Sequence, residues 1–232
     1  MEDRHSMEDK HSMDKKEILR HIDHTLLKPY AIWEDIRTLC QEAVEYKTAS
    51  VCIPPCYVER VHDKFVNLNI CTVVGFPLGY SVTAAKLAEV EKALKDGANE
   101  IDMVVNISDV KNRQFGKVEA EIRALKEACG SHVLKVIIET CYLTEEEKIA
   151  MCQAVTKAGA DYIKTSTGFG TGGATLADVK LFREHIGPSV KIKAAGGVKS
   201  REDLEMFLKA GCDRIGTSSA VGLLKGEEAG DY

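Results

Sequence analysis

Short apolar runs rich in β-branched residues alternate along the chain with longer stretches whose apolar positions recur at helical spacing. The runs fall at about 21–24, 49–53, 70–75, 99–105, 133–139, 160–166, 190–195 and 213–217. Their length and Val/Ile content predict strands. Amphipathic stretches follow at about 33–46, 56–66, 82–96, 115–129, 144–158, 175–185, 201–210 and 219–224, and these predict helices. Local signals agree with the pattern. Thr144-Glu-Glu-Glu147 spells a capping box and Ser200-Arg-Glu-Asp203 is close to one. Gly97, Gly130, Gly159 and Gly211 stand where helices should end, where a left-handed backbone is wanted.

Eight strand–helix units in roughly 210 residues give about 26 residues per unit, which suits an α/β chain folded as a single (β/α)8 barrel near the short end of its range. A doubly wound open sheet uses the same units, so periodicity alone leaves it open, and the eightfold count favours the barrel. No Pro/Gly/Ser-rich linker divides the chain, so one barrel domain is expected over 13–232. Ahead of it, residues 1–12 repeat Met-Glu-Asp-Arg/Lys-His-Ser with no apolar face. Such a segment cannot offset its ordering entropy and is expected to be a flexible tail. The polar stretch from Lys225 to Tyr232 is expected to be loose as well.

Composition narrows the function classes. With 232 residues, 44% hydrophobic and 29% charged, the chain can bury a full core. Lys plus Arg is 31 against 36 Asp plus Glu, a net charge of −5, which argues against nonspecific nucleic-acid or anionic-membrane binding. No apolar run approaches the roughly 18 residues of a membrane helix, and the charged N-terminus lacks a signal-peptide core. The eight cysteines form no CxxC pair and no Cys/His cluster at zinc spacing. Several lie inside apolar runs, so reduced core thiols in a cytoplasmic protein without a metal are expected.

Three strands carry charges that a purely structural strand would not want. Period-two alternation sets Glu100, Asp102 and Val104 on one face of the fourth run, with Ile101, Met103 and Val105 on the other. The same reading groups Tyr162, Lys164 and Ser166 in the sixth run, and Lys191, Lys193 and Ala195 in the seventh. If the apolar sets face the helices, Asp102, Lys164 and Lys193 project into the barrel. A single strand lysine is commonly a stem laid along apolar surface, its ammonium in water. Two inward lysines beside one carboxylate leave a charge uncompensated. At an assumed 6 Å and an effective dielectric of about 20, their repulsion is roughly 2–3 kcal/mol, enough to lower one amine's pKa by about two units. A partly neutral amine can attack an aldehyde and form a Schiff base, with Asp102 relaying protons.

Glycine-rich loops follow the same strands. Lys164-Thr-Ser-Thr-Gly168 leads into Phe169-Gly-Thr-Gly-Gly173, Ala195-Gly-Gly-Val198 closes the seventh run, and Ile215-Gly-Thr-Ser-Ser219 closes the eighth. Loops after the seventh and eighth strands of barrels often bind phosphate, through backbone amides and helix N-termini. Their joint placement points to a small phosphorylated substrate. Gly168-Phe-Gly170-Thr-Gly-Gly173 also fits G-x-G-x-x-G. The next strand ends in Lys193-Ala-Ala-Gly-Gly, without the acidic residue a dinucleotide fingerprint needs, which argues against that reading.

These residues together make the chain resemble the 2-deoxyribose-5-phosphate aldolases. The resemblance spans about 22–224 and rests on Ile22-Asp-His-Thr-Leu-Leu-Lys28, Val51-Cys-Ile-Pro54, Val74-Gly-Phe-Pro-Leu-Gly79, Glu100-Ile-Asp-Met-Val104, Tyr162-Ile-Lys-Thr-Ser-Thr-Gly168, Lys193-Ala-Ala-Gly-Gly-Val198 and Gly216-Thr-Ser-Ser219, in that order. It implies a (β/α)8 class I aldolase without metal or organic cofactor, acting on a phosphorylated sugar, and a homodimer. It further implies Lys164 as the Schiff-base lysine, Lys193 as the lysine that perturbs it, Asp102 as proton donor and acceptor with an ordered water, and Asp23 as support. By the same resemblance, Gly168, Gly196, Gly197, Ser218 and Ser219 contact the phosphate, Lys199 stands beside it, and Cys52 lines the second strand. An isomerase of a phosphorylated metabolite, or a non-catalytic phosphosugar binder, would share the barrel and the loops. The isomerase needs no lysine nucleophile, and the binder could lose one of the three charges.

Overall fold

The computed structural model of the chain describes residues 13–226. Eight parallel strands close into a barrel in sequence order, each hydrogen-bonded to the next and β8 to β1. They are β1 (Ile22–Thr25), β2 (Ser50–Ile53), β3 (Ile70–Val74), β4 (Glu100–Val104), β5 (Val133–Ile137), β6 (Tyr162–Lys164), β7 (Lys191–Ala195) and β8 (Arg214–Thr217). The helices are α1 (Lys15–Leu19), α2 (Trp33–Tyr46), α3 (Val58–Lys64), α4 (Thr83–Lys95), α5 (Ile107–Lys111), α6 (Phe115–Cys129), α7 (Glu145–Ala158), α8 (Leu176–His185), α9 (Arg201–Ala210) and α10 (Ala220–Lys225). The closed barrel settles the choice against an open sheet.

Sequence signals account for several helix boundaries. Thr144 and Glu147 form the capping box of α7, and Ser200 and Asp203 that of α9. Gly97, Gly130, Gly159 and Gly211 all take positive φ at helix ends. Two short helices, α1 and α5, are absent from the pattern-based reading. Each is a single five-residue turn, too short to show a period, and is held by an Asp14 or Asn106 side chain accepting from backbone amides. The predicted helix over 56–66 divides into a 3₁₀ turn at Pro55–Tyr57 and α3. Lys225 closes α10 rather than opening a loose tail. The tail expected over 1–12 lies outside the described residues, as does 227–232.

The strands divide apolar from charged as the alternation requires. Ile101 and Met103 on β4, Leu134 and Val136 on β5, Ile163 on β6, and Ile192 and Ala194 on β7 join the helices in one continuous core. Full burial of each large side chain there contributes about 1.5–3 kcal/mol. Inside the barrel the apolar patch is small, comprising Leu27, Cys52, Cys71 and Val73 with Phe76 packed on it. Asp23, Glu100, Asp102, Lys135, Lys164 and Lys193 are buried as well.

Candidate active site

Parallel register sets the charged side chains in two level pairs. Asp102 on β4 pairs with Lys135 on β5, and Lys164 on β6 with Lys193 on β7. Register partners point to the same face, and the two pairs sit two positions apart, Lys135 level with Tyr162 and Lys164 with Ile137, so side-chain reach brings the four chain-distant residues together. Asp102 is fully buried and each of its oxygens takes two donors. Oδ2 accepts from Lys164 Nζ at 2.8 Å and from Lys193 Nζ at 2.7 Å. Oδ1 accepts from Lys135 Nζ at 2.9 Å and from Cys71 Sγ at 3.1 Å. Because the two amines share one oxygen, they lie no more than about 5.5 Å apart. The inward placement read from alternation therefore holds for Asp102, Lys164 and Lys193.

Asp23 on β1 binds the far side of the network. Its Oδ2 lies 2.5 Å from Lys193 Nζ and 3.6 Å from Lys135 Nζ, while Oδ1 accepts from Ser50 Oγ at 2.8 Å and from Arg214 at 2.5 Å. Glu100 completes it, 2.6 Å from Lys135 and 3.1 Å from Arg214. The network thus holds Asp23, Glu100 and Asp102 against Lys135, Lys164, Lys193 and Arg214, four basic groups to three carboxylates. Lys135 reaches three carboxylates, Lys193 two and Lys164 one. Lys164 is the amine with fewest anionic partners.

The charges order themselves by this geometry. Burial alone would push Asp102 up, but Lys135, Lys164 and Lys193 together hold its carboxyl well below the usual carboxylate range. Lys193 is pulled down by burial, yet Asp102 and Asp23 raise it well above the ordinary ammonium value. That corrects the simple crowding argument as far as Lys193 is concerned. At an effective dielectric of about 20, two amines 5.5 Å apart repel by about 3 kcal/mol, whereas an amine 2.7 Å from a carboxylate is attracted by about 6 kcal/mol. Lys193 is a fixed cation, and so is Lys135, which is also raised well above the ordinary value despite its burial.

Lys135 is the principal residue that the three charged strands chosen from the sequence missed. It sits in Val133-Leu-Lys-Val-Ile137, where alternation would have placed it inward. Cys71 gave no signal of its own among apolar neighbours. It lies in register with Cys52, and both thiols are free and buried. Cys52, Cys71 and Asp102 each offer a ligand atom within 4.8 Å of the others, but Asp102 is already saturated by its four donors. Glu139 was likewise invisible in sequence. It sits beyond β5 with φ +53°, accepting from the backbone amide and hydroxyl of Thr167, and burial pushes its carboxyl up.

Above this layer, the loops after β6, β7 and β8 converge at the mouth. Gly196 and Gly197 take φ of +74° and +77°. A Cβ on Gly173 would fall 2.4 Å from the Gly196 carbonyl carbon, so the β6 and β7 loops touch backbone to backbone. This close approach explains Gly173, one of the glycines that mimicked a dinucleotide fingerprint. Gly168 and Ser218 line a cavity of about 140 Å3 at this end, and Ser219 precedes α10. Lys199 lies on the exposed turn before α9, its amide donating to Asp203, and does not line that cavity. The phosphate-loop candidates Gly168, Gly196, Gly197, Ser218 and Ser219 thus occupy one end of the barrel, the C-terminal end where barrel active sites lie.

Known proteins are similar to this chain over most of its length. A deoxyribose-phosphate aldolase of Clostridium botulinum (strain Alaska E43 / Type E3) is 71% identical over 217 residues, covering 93% of this chain and 98% of its own. One from Clostridioides difficile (strain 630) is 58% identical over 218 residues, covering 94% and 100%. The solved tetrameric deoxyribose phosphate aldolase of Aeropyrum pernix is similar with a TM-score of 0.83 at 32% identity, covering 92% of each chain. The profile described as DeoC/LacD family aldolase matches residues 9–229, and the chain belongs to that family.

Proposed function

We propose that the protein reversibly cleaves 2-deoxy-D-ribose 5-phosphate to D-glyceraldehyde 3-phosphate and acetaldehyde through a Schiff base on Lys164. The observation that carries this reading is the single Asp102 oxygen shared by Lys164 and Lys193. An amine attacks a carbonyl only from its neutral form. Lys193 and Lys135 are locked as ammonium ions by several carboxylates each, which leaves Lys164 as the nucleophile. The names borne by the relatives at 71% and 58% identity support the substrate.

The steps follow from the network. The Lys164 amine adds to the open-chain aldehyde at the first carbon, and loss of water gives an iminium. The hydroxyl on the third carbon loses its proton, the bond between the second and third carbons breaks, and its electron pair passes into an enamine on Lys164. D-glyceraldehyde 3-phosphate leaves. A proton returns to the second carbon, and hydrolysis frees acetaldehyde and restores the amine. Asp102 is a carboxylate throughout the neutral range and acts first as an acceptor, with an ordered water carrying the proton to or from substrate. Lys193 is the adjacent store of protons, one hydrogen bond away on the same oxygen. Asp23 keeps Lys193 in place.

The phosphate is held by Gly168, Gly196, Gly197, Ser218 and Ser219, with Lys199 at the rim of the β7 loop, so that binding energy is converted into orientation of the aldehyde. Neither metal nor organic cofactor is invoked in this chemistry. An isomerase would not need the nucleophile. We further read the protein as a cytoplasmic homodimer; its free thiols support the compartment, and light scattering on the purified chain tests the assembly. No helix of the described residues is long and apolar enough to cross a membrane. The activity is tested by coupling release of glyceraldehyde 3-phosphate to a dehydrogenase. Wild type should turn over 2-deoxyribose 5-phosphate, and Lys164→Ala should lose at least about 10⁴-fold in kcat. Turnover retained by that variant would overturn the assignment.

A further inference from the structure

The cavity at the barrel mouth has one charged side chain in its wall. Thr25, Lys28 and Tyr30 from the loop after β1 face Gly168, Phe169 and Ser218 across about 140 Å3. Gly168 and Ser218 belong to the phosphate-loop set, and Lys28 does not. Its ammonium makes no ion pair with any carboxylate among the described residues, and it lies 5.9 Å from the centroid of the Tyr30 ring. That distance is at the outer edge of a cation–π contact and neutralises nothing. A half-buried cation without an anion, in the wall that already holds two phosphate-loop residues, is what a dianionic group would meet on entering. The adjoining cavity of about 430 Å3 shares Thr25, Lys28 and Ser218 but adds Asp35 and Glu42, which disfavour an anion there. Lys199, the basic residue that the resemblance places beside the phosphate, lines neither cavity.

We propose that Lys28 recognises the phosphate of the substrate from the β1 side and sets the preference for phosphorylated over free sugar; this rests on the aldolase reading given above. The phosphate is then clamped between backbone donors of the β6 and β8 loops and one ammonium from the opposite wall. A charged hydrogen bond of this kind corresponds to about 10- to 100-fold in binding.

The test compares kcat/KM for 2-deoxyribose 5-phosphate with that for 2-deoxyribose in wild type, Lys28→Gln and Lys28→Arg. The ratio should fall about 10- to 100-fold in Lys28→Gln, carried by KM for the phosphorylated sugar, and recover in Lys28→Arg. A ratio within twofold of wild type in Lys28→Gln overturns the proposal. Because each variant supplies both rates, loss of fold does not mimick loss of preference. A second measurement uses wild type alone. Inorganic phosphate should protect Lys28 from an amine-acylating reagent, read by peptide mass mapping, and equal labelling with and without phosphate overturns the proposal. If wild type cleaves neither sugar, the aldolase reading fails instead.

Discussion

Replacing Lys193 by Met removes a fixed positive charge from beside the reacting amine, and its consequence has a definite sign. Lys193 stays an ammonium through the whole working range, because Asp102 and Asp23 raise it well above its ordinary value. Its nitrogen lies no more than about 5.5 Å from that of Lys164. At an effective dielectric of about 20, that separation is worth about 3 kcal/mol of repulsion, roughly a 100-fold factor in an equilibrium. Loss of the charge favours protonation of the remaining amine, and the carboxylates freed by the substitution act in the same direction. The deficit in kcat/KM should therefore be about 10- to 100-fold at neutral pH and shrink as pH rises. The assay is a pH series of initial rates on 2-deoxyribose 5-phosphate, with circular dichroism to confirm the fold. A deficit that is the same at every pH would refute the reasoning and leave Lys193 as a proton carrier or a strut.

Two further perturbations separate structure from chemistry. Lys135→Met leaves Asp23, Glu100 and Asp102 facing one another without their common cation. Breaking a buried network in this way should cost about 3–5 kcal/mol in urea unfolding, and an unchanged midpoint would contradict the assigned charges. Glu139→Gln should act with the opposite sign. Its carboxyl is raised by burial, so its charged form destabilises the fold; stability falls as pH rises from the unfolded value near 4.3 through the raised folded one. The amide keeps an acceptor for Thr167, so the variant should match wild type at pH 4 and melt at the same or a higher temperature at pH 8.

Most of the barrel was legible because short apolar runs alternated with amphipathic stretches, three strands showed period-two alternation, and α4, α6, α7 and α9 stopped at glycines. The two helices that escaped, α1 and α5, are single turns whose stability comes from one capping side chain rather than from a repeating apolar stripe. Within the site, alternation placed Asp102, Lys164 and Lys193 without knowledge of their neighbours. It could not show that Asp102 Oδ2 is shared, since that depends on the register of β4, β6 and β7 and on side-chain reach. Lys135 obeyed the same alternation and was legible in principle. Glu139 and Cys71 were not, because a carboxylate beyond a strand end and a thiol among valines acquire meaning only from what the closed barrel brings against them. The sign of the Lys193 shift belonged to the same class, as two carboxylates outweigh one neighbouring amine only once distances are known.

The central claim is that, of three lysines around one carboxylate, Lys164 alone is the nucleophile. Treating the protein with acetaldehyde and borohydride, digesting it and mapping the peptides tests this directly. The account predicts one reduced two-carbon adduct per chain, on Lys164, with Lys135 and Lys193 unmodified. An adduct on Lys193 or Lys135, or none at all in a protein that still turns over, would contradict it.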